Sequence, residues 1–309
     1  MQRGGPGVSA AVITPVLETA VVFPCAGEEL VGIVSKPATP PERAVLIVVG
    51  GPQYRIGSHR MFVHLARHLA EHGVAAMRFD ARGMGDSSGP RQYFEDFDAD
   101  IGAALDAMFR ELPTLRSVAI WGLCGGASAA LLYVQGRRDP RVRALALVNP
   151  WVRTDTTQAI TRVKHYYFQR LLQREFWRKL LRGRVAVASL AELWRALRLT
   201  ARVAAVTKAT GNPRLAERGT NADDLGMRMA HAWAAFAGTG GRTMLILSER
   251  DYTAKEFLET ARLHPLWQAN FSHPLASRVD LPDAEHTFAQ PDAHAQVERA
   301  TLELVAAMA

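Results

Sequence analysis

Ser117-Val118-Ala119-Ile120-Trp121-Gly122-Leu123-Cys124-Gly125-Gly126 is the stretch that decides the fold. The apolar run 117–121 predicts a buried strand, and residues 125–135 predict a helix. Between them, Gly122-Leu123-Cys124-Gly125-Gly126 fits the G-x-Nuc-x-G nucleophile elbow, with cysteine where serine is usual. A strained strand-to-helix turn leaves no room for side chains beside the nucleophile, which is the physical use of the glycines. The helix N-terminus behind Cys124 favours an anion at its sulfur through the macrodipole. A G-x-C-x-G string also arises by chance at an apolar helix start, so the surrounding pattern has to decide.

That pattern alternates. Residues 19–24 and 30–35 read as strands joined through Ala26-Gly27-Glu28, a hairpin signal. Residues 44–49 form a continuous apolar run, as in a strand buried on both faces of a parallel sheet. Ser58 is placed to cap a helix running to His72 and ended by Gly73, and residues 74–79 give the next strand. A helix over 94–112 precedes the elbow strand, and a strand over 144–148 follows the elbow helix. At Pro150 the alternation stops, and from Trp151 to about Thr239 only helical patterns appear. It resumes with a strand at 242–248, a helix at 255–267, a strand at 271–281 and a helix at 291–307. The expected architecture is an α/β core of residues 1–150 and 241–309, with a helical cap (151–240) inserted where such sheets bind ligands.

The chain has 309 residues, 48% hydrophobic and 22% charged, which excludes a disordered or fibrous protein. No apolar run reaches the ~18–20 residues that a membrane-spanning helix needs. The net charge of +7 is unevenly spread: residues 152–240 hold 16 Lys+Arg against 6 Asp+Glu, and the rest holds 21 against 24. A segment near +10 above a body near −3 reads as a solvated cap surface. It is also suited to guiding an anionic substrate, a phosphopantetheine carrier or an acidic membrane surface towards Cys124. No recognised motif accompanies the charge, so nucleic acid is not expected as a partner. Cys25 and Cys124 form no C-x-x-C pair, which argues against zinc and disulfides. Pro15 and Glu18 interrupt any leader-like apolar run, so the expected compartment is the cytoplasm.

A nucleophile elbow needs an acid and then a histidine downstream. Asp251 follows the 242–248 strand, and His286 follows the 271–281 strand just before the final helix. The expected triad is therefore Cys124, His286 and Asp251, with His286 moving the proton and Asp251 holding its ring. Glu249 and Asp155 are competing acids, and His294, within the last helix, is the competing histidine. The oxyanion hole should use the backbone N–H of Gly125 and one from Val49-Gly50-Gly51-Pro52. Pro52 has no N–H, which leaves Gly51 as donor.

Arg78-Phe79-Asp80-Ala81-Arg82-Gly83-Met84-Gly85-Asp86-Ser87 adds a second characteristic string. It resembles the R-x-D-x-R-G-x-G-x-S turn of many α/β-hydrolases, where charged residues tie the loop together and the role is structural. With the elbow and the triad, residues 19–308 resemble an α/β-hydrolase with a helical cap. The fold this implies is a mostly parallel eight-stranded sheet flanked by helices. Many relatives carry His-Gly where this chain has Val49-Gly50. More narrowly, residues 50–60 (GPQYRIGSHR after Gly50) and Gly122-Leu123-Cys124 resemble the exosortase A system-associated hydrolases, type 1. That resemblance implies a bacterial cytoplasmic enzyme linked to an exosortase and exopolysaccharide locus, without implying its substrate.

His64, His68 and His72 recur at spacing four, yet Phe62, Leu65 and Leu69 mark the buried face of that helix. A solvated stripe is the expectation there, not a metal site. Of the aromatics in the helical segment (Tyr166, Tyr167, Phe168, Phe176, Trp177, Trp194, Trp233, Phe236), most are expected to pack its own small core. The residues together predict an acyl hydrolase that acts on esters or thioesters through a thioester on Cys124, with no metal or organic cofactor. Peptide amides are less suited, because their amine leaving group needs fuller protonation. Acyl transfer to an amine, alcohol or thiol is the first alternative, and a non-catalytic binding protein on a hydrolase scaffold is the second.

Overall fold

The computed structural model of the chain describes residues 16–51, 53–152, 213–262 and 264–308, with backbone alone over 213–224. Eight strands form one sheet: β1 (Leu17–Cys25), β2 (Glu28–Lys36), β3 (Arg43–Val48), β4 (Ala75–Phe79), β5 (Ser117–Leu123), β6 (Val142–Val148), β7 (Arg242–Ser248) and β8 (Ala276–Leu281). Their order is β1-β2-β4-β3-β5-β6-β7-β8. The β1–β2 and β2–β4 pairs are antiparallel, and all others are parallel. The central strands are predominantly apolar because helices cover both faces. Every residue of β4 and β5 is buried. Each fully buried large side chain there, such as Leu46 or Trp121, contributes about 1.5–3 kcal/mol.

The described helices are α1 (Met61–Glu71), α2 (Asp98–Glu111), α3 (Gly125–Arg137), α4 (Pro213–Gly238), α5 (Tyr252–Arg262), α6 (Pro265–Phe271) and α7 (Pro291–Ala306). Helix α1 buries Phe62, Leu65, Ala66 and Leu69 on one face, as its 3.6-residue periodicity requires. The chain divides into one compact unit of residues 1–151 and 229–309 and another of residues 152–228. The second unit falls within the segment read as an insertion. The expected helices and the basic run over 153–212 lie outside the described residues. Among the described residues no helix is long and apolar enough to cross a membrane.

Five local expectations are corrected. Ser58 does not cap α1: a 3-10 turn at Ser58–Arg60 comes first, and Arg60 enters the helix in the left-handed region, at φ 59°. The helix expected over 94–112 is a 3-10 turn at Phe94–Asp96 followed by α2, because Phe97 sits in the bridge region near ψ 0°. The helix expected over 255–267 begins earlier and breaks before Pro265. His264 is extended there (φ −121°, ψ 123°), as a residue preceding proline prefers. Phe271, read as the start of a strand, instead ends α6 and packs against Trp267. Trp233, assigned by sequence to the inserted segment, packs edge-on against Trp267 and Phe271, in the core of the first unit.

Candidate active site

The parallel strands deliver their following loops to one edge of the sheet, as in other open α/β sheets. Cys124 follows β5 and precedes α3 with φ 58° and ψ −120°, a conformation that L side chains rarely adopt. The surrounding backbone holds it there. Its N–H donates to Val148 O at 2.9 Å, and its carbonyl accepts from Ala127, Ser128 and Trp151 N–H groups. The glycines permit this packing by close approach. A Cβ on Gly126 would lie 2.3 Å from Val48 O, and one on Gly50 would lie 2.2 Å from Gly126 N. The loop after β3 is thereby pressed directly onto the elbow.

Gly125 opens α3, so its N–H is among the first-turn donors that have no intrahelical acceptor. Gly51, with φ 69°, stands exposed at the tip of the loop after β3. Pro52, whose missing N–H pointed to Gly51, lies outside the described residues. Phe94 packs against Gly125, within 3.3 Å of the place a Cβ would occupy, and so walls the elbow on one side.

Asp251 follows β7, only 7% exposed, and its carboxylate accepts the N–H groups of Thr253 (3.1 Å) and Ala254 (3.3 Å) at the start of α5. The helix N-terminus thus holds the carboxylate in place. His286 follows β8, and its Nδ1 lies 2.7 Å from Asp251 Oδ2. The ring is also within hydrogen-bonding reach of the Cys124 side chain. Burial opposes a charge on His286. The hydrogen bonds with Asp251 and Cys124 outweigh it and raise the imidazole from 6.5 to about 10. Sulfur, imidazole and carboxylate therefore come together from three separate loops.

The competing residues sit elsewhere. Glu249 is exposed, and Asp155 lies outside the described residues. His294 Nε2 pairs with Glu298 at 3.0 Å, and its ring meets His64 edge-on at 5.9 Å. His64 and His72 are exposed, whereas His68 is half-buried with Nδ1 3.7 Å from Glu298. Among the described residues no three potential ligands are grouped to hold a metal ion.

Sequence reading missed Asn149. Buried after β6 with φ 43°, it donates from Nδ2 to Ser248 Oγ (3.0 Å) and His286 O (3.4 Å), and it accepts from Ser248 N–H (2.9 Å). Ser248 Oγ in turn donates to Glu285 O at 3.1 Å. This bracket ties the ends of β6 and β7 to the loop that carries His286. The signal was present as Asn149-Pro150 after an apolar strand, since asparagine tolerates the left-handed region and Asn-Pro favours a turn.

A family model described as serine aminopeptidase, S33, matches residues 39–230. The polyketide transferase grgF of a Penicillium species is 31% identical over 112 residues, 34% of this chain and 36% of that protein. The match thus spans about a third of the curated relative's length. Among solved structures, the Pyrococcus furiosus esterase Pf2001 superimposes with a TM-score of 0.61 at 13% identity, over 100% of this chain and 97% of that one. Est1E from Butyrivibrio proteoclasticus, with ferulic acid bound, gives 0.55 at 15% identity, over 93% and 100%. The sheet and its flanking helices are those of the α/β-hydrolase fold. Where the family description names a serine, the elbow of this chain carries Cys124.

Proposed function

We propose, for a chain that belongs to the serine aminopeptidase S33 family of α/β-hydrolases, an acyl hydrolase working through a thioester on Cys124. The observation that carries this reading is the continuous set Cys124–His286–Asp251, with Nδ1 to Oδ2 at 2.7 Å and the sulfur on a strained elbow. The Cys124 sulfur adds to an ester carbonyl, and the oxygen gathers negative charge against the Gly51 and Gly125 N–H groups. As the C–O bond breaks, the imidazolium of His286 gives its proton to the departing alkoxide, leaving a thioester and a neutral imidazole. His286 then takes a proton from water, whose oxygen adds to the thioester carbonyl. The C–S bond breaks, and sulfur and imidazolium are restored. Asp251 keeps the ring oriented in both halves.

The test is intact-mass spectrometry after mixing with a p-nitrophenyl ester. The reading expects one acyl adduct on Cys124, released in water and absent from Cys124→Ala. Turnover that survives Cys124→Ala overturns it. An unmodified wild-type protein would favour the non-catalytic alternative.

Acyl transfer is the second reading, supported by the likeness to a polyketide transferase and by a cysteine thioester being resolved readily by amines, alcohols or thiols. Adducts that persist in water and discharge only onto an added acceptor would select it. The narrower resemblance to exosortase A system-associated hydrolases goes with either reading and supports a bacterial, cytoplasmic enzyme. An anionic or carrier-bound substrate suits the charge of residues 152–240. For such a substrate kcat/KM should fall as salt rises, and salt-independence removes that part of the proposal.

A further inference from the structure

We propose that Asp80 and Arg55 are positioning residues that clamp the oxyanion loop, keeping the Gly51 N–H aimed at the reacting oxygen. The inference rests on the reading of Gly51 as an oxyanion donor. Asp80 is the first residue beyond β4, the strand next to β3, and is fully buried. Its Oδ1 accepts the Arg55 backbone N–H at 2.6 Å. Its Oδ2 accepts the Arg55 guanidinium as well as the Asp86 N–H at 3.0 Å. The other guanidinium nitrogen of Arg55 donates to Asp86 Oδ2 at 2.6 Å.

A carboxylate that served only its own turn would need Asp86. Two of the three donors that Asp80 accepts belong instead to Arg55, 25 residues back and in the loop after β3. Two successive turns carry that anchor towards the tip: Gly57 N–H donates to Tyr54 O and Gln53 N–H to Gly51 O, both at 2.9 Å. On the other side of Gly51, Gly50 is pressed against Gly126 of the elbow. Gly51 is therefore held between one anchor on the nucleophile's own turn and one on Asp80. A donor aimed in advance costs no reorganisation when charge develops, and a displacement of about 1 Å removes much of that benefit. The string at residues 78–87, whose sequence suggests only a self-contained turn, thus reaches the chemistry through Arg55.

The experiment compares two reactions of the same sulfur. Acylation by p-nitrophenyl acetate passes through an oxyanion. Alkylation by iodoacetamide displaces iodide at a saturated carbon and forms none. In Asp80→Asn the amide turns an N–H toward donors that need an acceptor, so the loop is released with little change of shape. Its acylation rate should fall by about tenfold to a hundredfold, with alkylation of Cys124 within about twofold of wild type. Arg55→Gln should show the same split, and Arg55→Lys, which keeps the charge, a smaller one; these two decide the matter if Asp80→Asn does not fold. Equal losses in both reactions, or unchanged acylation, overturn the clamp. A wild-type protein that is alkylated but never acylated would overturn the enzymatic reading itself, and that outcome is seen before any variant is made.

Discussion

Cys25 closes β1 beside the turn to β2, only 4% exposed, while Cys124 stands half-buried between β5 and α3 near the middle of the sheet. Cys25 occupies an extended strand, and Cys124 a left-handed backbone at a helix N-terminus. Burial, then the negative charge of Asp100, pushes the Cys25 thiol up, against a smaller pull from Arg82. Cys124 instead faces the imidazole of His286, itself held by Asp251. The residue type is the same; the backbone, the helix end and the imidazole suit one sulfur to the nucleophile's role proposed above, while the other is a small core side chain.

The widest separation should come from removing each thiol in turn. Cys124→Ala should lower ester turnover by about 10⁴-fold or more, and Cys25→Ala should leave it within about twofold, measured as kcat/KM on a short p-nitrophenyl ester. Comparable losses in the two variants would erase the distinction. A narrower break is Asp251→Asn, which keeps the ring's neighbour but favours the wrong tautomer of His286. Turnover should fall by roughly 10³- to 10⁴-fold. Peptide mapping after brief iodoacetamide treatment should show slower labelling at Cys124 and the same slight labelling at Cys25.

Glycines beside the two cysteines offer a third comparison. Gly126→Ala would force a Cβ to 2.3 Å from Val48 O, a backbone atom that cannot swing aside. A destabilisation of about 3 kcal/mol and a large loss of turnover are expected. Gly27, at φ 86° two residues after Cys25, has nothing within 4 Å of its would-be Cβ. Gly27→Ala therefore meets only backbone strain, about 1 kcal/mol, with activity unchanged. Urea unfolding of both variants measures the difference, and equal midpoints would refute it.

What the sequence made legible follows the same division. The elbow could be read because its constraints are local. A strand, a strained turn and a helix occupy contiguous residues, and Gly122, Gly125 and Gly126 record the crowding directly. Asp251 and His286 could be placed because chain order and strand ends suffice. The Asn149–Ser248 bracket and the Arg55–Asp80 pair could not, since they join residues 99 and 25 positions apart in the chain that meet only once their strands lie side by side in the sheet. The break at Pro265 was readable in principle but was masked by a helical pattern that continues past it. Trp233 shows the converse: its helical context predicted the insertion, while packing on Trp267 and Phe271 decides where it sits.

The smallest effect, and the one that sharpens the comparison most, lies in the alkaline limb of stability. His286 has a folded pKa of about 10 against an ordinary 6.5, so its protonated form is favoured by folding. That stability is fully present below pH 6.5 and is lost as pH rises from there towards 10. The Cys25 thiol is also raised, from 9.0, so its contribution has the same sign but begins to fade only above about pH 9. Between pH 6.5 and 9 the loss should therefore belong to the candidate site around His286, a shift on the order of a few degrees in Tm. His286→Asn should flatten that interval, and Cys25→Ala should leave it intact while reducing the decline above pH 9. A wild-type curve that is already flat from pH 6.5 to 9, or one flattened equally by both variants, would mean that the His286 proton is not held by the Asp251 and Cys124 pair.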